Sequence, residues 1–419
     1  MTSSDQDTIC ISCGRSTFFL FLDLGMQPSG NTFVTKADSG EEKFYPLRMG
    51  VCQSCWQVQL QDRLDSNLLF DNHPYLTSTN KPMVDHFGLL AARITQDFGL
   101  CRGDLVLDIG CNDGTFLTKF RDQGVLTMGV EPSSQIAKLS SESGHVVANT
   151  FWNGSMGRDL SRMGIRPKVI TAMSVFYHVS DLNDFVAGVE QVMADDGVFV
   201  IQAVSLMSLL AKNQFDHFYH EHTCIHSLST IQTIVGRQNL VIIDVDEVDV
   251  HGGSLIVYVA RPDAGFDTTA RVAALAEKEI ASGLQKMETY TEFAGRVEKI
   301  AGELKRKLIE LKQQGKSVYG LGAPLKSTTF LNYANIDGSL IECLTEVNDL
   351  KIGKLSPGLH IPVVDERTLE KEPDYYVVFA WNYLDYLLEK KQDYLEAGGS
   401  FIVPFPHLKI ISADYFGQT

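Results

Sequence analysis

The chain has 419 residues, 44% hydrophobic and 21% charged, with a formal net charge of −16 and a pI near 5.1. That length exceeds one ordinary core and implies two or three domains. The acidity, with no Lys/Arg block, excludes a nucleic-acid binder, which needs a phosphate-neutralising surface. No apolar run reaches the roughly 18 residues that a membrane span requires. The opening "MTSSDQDTIC" has no basic flank before an apolar stretch, so no signal peptide is expected and the reducing cytoplasm is the default for a soluble protein.

The first element pairs two knuckles, "CISC" with Cys10 and Cys13 and "CQSC" with Cys52 and Cys55. Each knuckle turns two thiolates toward one ion, and two knuckles complete a tetrahedral site that Zn2+ fills. Four thiolates leave no open position for water, so this zinc is expected to be structural. A disulfide pair or a redox C-x-x-C is the alternative, which a cytoplasmic location disfavours. "FLFLDLGMQPSGNTFV" and "KFYPLRMGVC" between the knuckles read as short strands, giving a zinc-ribbon-like module over residues 1–75. Cys101, Cys111, Cys224 and Cys343 lack such spacing and are expected to be buried.

Residues 105–117, "LVLDIGCNDGTFL", run from an apolar strand ending at Asp108 through a glycine turn into a helix. Such a turn lets backbone approach a nucleotide-like ligand closely. The spacing is D-x-G-x-N-x-G, not the G-x-G-x-x-G of dinucleotide binders. "LTMGVEPS" then places Glu131 at a strand end, where a carboxylate accepts ribose hydroxyl hydrogens. "VVANTFW", "KVITAMSVF" and "DDGVFVIQAV" continue the strand series, "LSTIQTIVGRQ" has helical spacing, and residues 240–261 give two β-rich runs broken at His251-Gly252-Gly253.

Five βα steps closed by an antiparallel hairpin resemble the class I S-adenosylmethionine-dependent methyltransferase fold, a Rossmann-like α/β architecture. The resemblance implies that Asp108, Gly110, Asn112 and Gly114 hold the methionine portion of S-adenosylmethionine and Glu131 its ribose. Phe151, Trp152, Met173 and Ser174 then border the adenine or sulfonium. Another Rossmann-like nucleotide binder is the alternative. The expected span is 76–265.

"FYHEHTCIHS" follows the fifth strand, on the side where an open α/β sheet binds ligands. With His217, four of the eleven histidines fall within ten residues. Three readings are open: a metal site, a polar loop, or general acid–base chemistry. His220 and His222 are two apart, so a helix would point them to different sides, and no H-E-x-x-H is present. An imidazole near its ordinary pKa of about 6.5 is a competent base at neutral pH. Tyr219 or a second histidine can then donate a hydrogen bond to an enolate oxygen.

Residues 266–314 lack proline and carry an amphipathic pattern ending at Gly315, read as a solvated helical connector. "KSVYGLGAP", "LIECLTEV", "YYVVFAW" and "GSFIVPFP" predict a smaller C-terminal α/β domain over 315–419. Its "GLGAPLKS" reads either as an anion site with Lys326 nearby or as a packing turn.

The paired knuckles, "YLTSTN", the glycine turn, "VFYHVSD", "FYHEHTCIHS", "HGGSL", "GLGAPLKS" and "SPGLHIPV" together resemble the sugar C-methyltransferases acting on nucleotide-linked keto-deoxysugars, over nearly the whole chain. The resemblance implies that His222 abstracts a proton α to a ketone before in-line methyl transfer, with Tyr219, Glu221, His178 and Tyr75 around it. The chain departs from the family pattern at Tyr177, at Ile256 and in "GAPLKSTT". The partner is a small molecule, with neither nucleic acid nor membrane, and monomer and homo-oligomer are both open. O-methylation of a sugar or other hydroxyl, and a non-catalytic binding module, are the competing functions.

Overall fold

In the computed structural model, residues 8–30, 32–36, 38, 40–70 and 75–413 are described. Among them the strands form three sheets. β1 (Phe18–Pro28), β2 (Phe44–Cys52) and β3 (Val58–Leu60) make an antiparallel meander. The central sheet starts with β4 (Leu105–Ile109), β5 (Leu126–Val130), β6 (Val146–Ala148), β7 (Val169–Met173) and β8 (Val198–Val204), all parallel. Every residue of β7 and β8 is buried, as continuous apolar runs covered on both faces require.

The short strand β9 (Cys224–Ile225) leaves the central region and pairs with β3, completing the N-terminal sheet. β10 (Val241–Val248) and β11 (Ser254–Ala260) form the expected hairpin, and the central order is β10-β11-β8-β7-β4-β5-β6. The order reverses beside β4, which opens a crevice at the strand ends. The third sheet runs β14-β13-β12-β15-β16-β17, from β12 (Val318–Leu321), β13 (Leu344–Glu346), β14 (Val363–Asp365), β15 (Tyr375–Val378), β16 (Ser400–Val403) and β17 (Lys409–Ile411). Only β17 is antiparallel there, and a second reversal lies beside β12.

The connector differs from expectation. It is two helices, Ala270–Ala281 and Met287–Gln313, broken where Gly283 takes φ +76°. The longer one buries Tyr290, Phe293, Val297, Ile300, Leu304 and Leu308 on one face. Tyr290 packs 5.2 Å from Phe21 of β1, so the helix is part of the core and not a solvated spacer. One continuous core joins Leu47 and Val51, Phe199 and Ile201, and Phe330 and Val377. Cys111, Cys224 and Cys343 are buried as expected, but Cys101 is exposed in the turn before β4, beside Asp104.

Candidate active site

The two knuckles converge. The four sulfurs of Cys10, Cys13, Cys52 and Cys55 all lie within 4.8 Å of one another, with Cys10–Cys55 at 3.5 Å and Cys13–Cys52 at 3.6 Å. A tetrahedron with Zn–S bonds of ~2.3 Å has edges of about 3.8 Å, so the set fits Zn2+. Crowding splits the thiols: contact with Cys10 pushes Cys52 down, and contact with Cys52 pushes Cys10 up to about 12. A central dication is what lets all four ionise together.

The second feature is a cavity of about 340 Å³ at the C-terminal ends of β4, β5 and β7. Asp108, Gly110, Asn112, Glu131, Phe151, Trp152, Met173 and Ser174 line it, together with Tyr75 and His178. Gly114 does not; it opens the helix Thr115–Arg121 at φ +80°, where a Cβ would meet His145 at 2.7 Å. Glu131 accepts from the amides of Asn112 (3.1 Å) and Ser133 (2.9 Å), so its carboxylate is fixed at the turn. Burial pushes the Asp108 carboxyl up to about 7, with Glu131 adding to it while Thr171 donates to it at 2.6 Å. Two buried carboxyl groups at the ends of β4 and β5 suit an amino-acid ammonium and ribose hydroxyls, so the residues fit S-adenosylmethionine. Asn112 does something the sequence did not reveal. Its side chain accepts from the Thr77 amide at 2.9 Å and donates to the Tyr75 carbonyl at 3.1 Å, pinning the Tyr75 segment over the cavity.

The histidine loop folds beside this cavity. His222 is 2% exposed, with its ring 3.8 Å from Tyr219 and 5.0 Å from His178. Its Nδ1 lies 2.7 Å from the His217 carbonyl, which can only accept, so Nδ1 carries the proton and Nε2 keeps its lone pair. The partner of Nδ1 is therefore this carbonyl and not the Glu221 carboxylate. Burial holds the ring well below its ordinary pKa, helped by His178 and His217, so it is neutral. Burial and the Glu221 carboxylate keep the Tyr219 phenol protonated. His178 Nδ1 is 2.6 Å from the Glu221 carbonyl. His178 reaches the cavity wall, and His222 lies one side chain behind it. Among the described residues the histidines form no metal-ligating cluster; only the four cysteines do.

Behind His222 the C-terminal domain closes the site. Lys326, in the first turn of the helix Leu325–Ala334, donates to His217 Nε2 at 2.8 Å and lies 4.8 Å from the Trp381 ring centre. Burial pulls its ammonium down to about 8 despite Asp216, whose carboxylate accepts from Trp381 at 2.6 Å. Lys351 donates to the Ala323 carbonyl at 2.9 Å, and burial pulls it down too, against Glu346. Glu346 accepts from the amides of Ala323 and Asn348, as Glu131 does from those of Asn112 and Ser133. The sequence marked Lys326 by its glycine turn and His217 by the histidine cluster; Asp216, Lys351 and Trp381 join the site through tertiary packing.

Three family matches divide the chain: a zinc binding domain over residues 10–70, a methyltransferase domain over 85–245, and a C-methyltransferase C-terminal domain over 249–406. The chain is 31% identical to the C-methyltransferase NovU of Streptomyces niveus over 407 residues, 97% of each chain. It is 29% identical over 122 residues to a ubiquinone biosynthesis O-methyltransferase of Mesorhizobium japonicum, covering 28% of this chain and 48% of that one. Magnesium protoporphyrin IX methyltransferase from Synechocystis, solved with bound SAM, aligns at 15% identity and a TM-score of 0.32, over 42% of this chain and 79% of its own. Four converging cysteines, the central fold and a full-length relative agree: the chain belongs to the S-adenosylmethionine-dependent C-methyltransferases that carry an N-terminal zinc-binding domain.

Proposed function

We propose that the enzyme methylates a carbon α to a ketone on a nucleotide-linked deoxysugar, with His222 as the base. The observation that carries this reading is the His217 carbonyl on His222 Nδ1, which leaves a neutral, buried imidazole with its acceptor nitrogen available. Nε2 takes the α-proton, and the electron pair moves into the carbonyl to give an enolate. The Tyr219 hydroxyl, kept protonated, donates to the enolate oxygen. Bound S-adenosylmethionine supplies an electrophilic methyl on a sulfonium; the chain's part is to raise a nucleophilic carbon beside it and to exclude water. Tyr75, held by Asn112, covers the cavity.

The nucleotide-linked substrate is supported by Lys326 and Lys351. Both are drawn down by burial around the 320–324 loop of a chain carrying a net −16, which suits a diphosphate. A panel of nucleotide-linked 4-keto sugars, with products read by NMR, tests the proposal. It predicts a new methyl bound to a carbon adjacent to the carbonyl; turnover only of substrates without a nucleotide would refute it. One observation favours a second base. His178, not His222, lines the cavity, so His178→Asn belongs in the same assay.

A further inference from the structure

We infer that Gln59 is a positioning residue through which the four-cysteine clamp sets the backbone path of the His222 loop. Gln59 is fully buried in β3. Its side chain spans the first knuckle: Oε1 accepts from the Ile11 amide at 2.9 Å, and Nε2 donates to the Ile9 carbonyl at 3.2 Å. These residues flank Cys10, so the amide ties a metal ligand's own backbone to β3. The opposite edge of β3 pairs with the catalytic loop, Gln59 against Cys224 and Val58 against Ile225. The Leu60 amide donates to the Thr223 carbonyl at 2.9 Å, and the Gln57 side chain donates to the Ile225 carbonyl at 2.9 Å. The Thr223 hydroxyl, next to His222, in turn shares its one proton between the Tyr177 and Val179 carbonyls on either side of His178, at 3.0 and 2.8 Å.

One line of hydrogen bonds thus runs from the first knuckle through Gln59 and β3 to the backbone beside both histidines. β9 has only two residues, too few to hold its register without a fixed partner strand. The clamp supplies that partner, because Cys52 ends β2 and Cys55 precedes β3 in the same hairpin. Cys10, Cys13, Cys52 and Cys55, holding a metal, would then bear on catalysis only through position, by fixing where His222 and His178 stand relative to each other. The consequence for turnover rests on the reading of His222 as base; the geometric claim does not.

Hydrogen exchange on the full chain, metal-loaded and chelator-treated, tests it together with Gln59→Leu, which keeps all four cysteines. In Gln59→Leu with metal bound, confirmed by metal content, amides at 222–226 and Leu60 should exchange about tenfold faster while β4 and β5 keep their protection. The dissociation constant for S-adenosylmethionine should stay within about twofold, and kcat should fall with little change in the KM for S-adenosylmethionine. Chelation should loosen the same segment first. Unchanged protection at 222–226 in Gln59→Leu overturns the inference, whatever its turnover. Uniform loosening across the whole chain overturns it too, since that is loss of stability and not of position. If chelation unfolds the protein, the metal-bound variant alone decides.

Discussion

Asp108 and Glu131 place two carboxyl groups at one turn, and burial leaves Asp108 near pKa 7. A cation arriving beside it lowers that pKa, so binding must expel a proton wherever Asp108 was protonated. Affinity for S-adenosylmethionine should therefore rise with pH up to about 7 and level off above it. Calorimetry in buffers of differing ionisation enthalpy should show release approaching one proton at pH 6 and little at pH 8; proton uptake would contradict the assignment. Much of this was legible in the sequence, because Asp108 and Glu131 sit at strand ends in a recognisable spacing. The dual bond from Asn112 to Tyr75 and Thr77 was not, since those residues lie some 35 positions apart and only folding brings them together.

At the scale of elements, the turn after β4 depends on Gly110. It takes φ +72°, and a Cβ there would lie 2.4 Å from Val175. Gly124 takes φ +84° with nothing within 4 Å, so it isolates the backbone cost from the clash. Gly124→Ala should cost about 1 kcal/mol of stability and leave S-adenosylmethionine binding intact. Gly110→Ala should cost a further 1–3 kcal/mol, roughly, and weaken binding at least tenfold. Denaturant titration and calorimetry measure both, and equal behaviour of the two variants would contradict the role given to the turn. Strand and helix identity followed from periodicity along the chain. The reading of 266–314 as a solvated connector did not hold, because an amphipathic stripe states that one face is apolar and not what covers it. Tyr290 and Phe293 find Phe21 of the first sheet only in the folded chain.

For the whole molecule, the candidate site is built where three modules meet: the cysteine clamp behind β3, the cavity on the central sheet that fits S-adenosylmethionine, and Lys326 reaching in from the C-terminal domain. Lys326 buttresses His217, and on the proposed function it also holds substrate charge, so two roles have to be separated. Lys326→Ala should raise the KM for the nucleotide-linked substrate roughly tenfold, with S-adenosylmethionine affinity unchanged. A fall in kcat alone would assign it to His217 instead. Cysteine spacing made the clamp readable, and strand order made the fold readable. The cleft between domains was not, since Asp216 and Trp381 carry no spacing signal and meet only when the C-terminal domain packs against the loop 214–217.

Solvent deuterium incorporation at the substrate carbon adjacent to the carbonyl tests the central claim most directly, comparing wild type, His222→Asn and His178→Asn, each with its S-adenosylmethionine affinity measured in parallel. The account predicts incorporation by wild type, its loss by about a hundredfold or more in His222→Asn, and retained donor binding in all three. Wild-type exchange in His222→Asn, with loss confined to His178→Asn, would contradict it and move the base to the cavity wall.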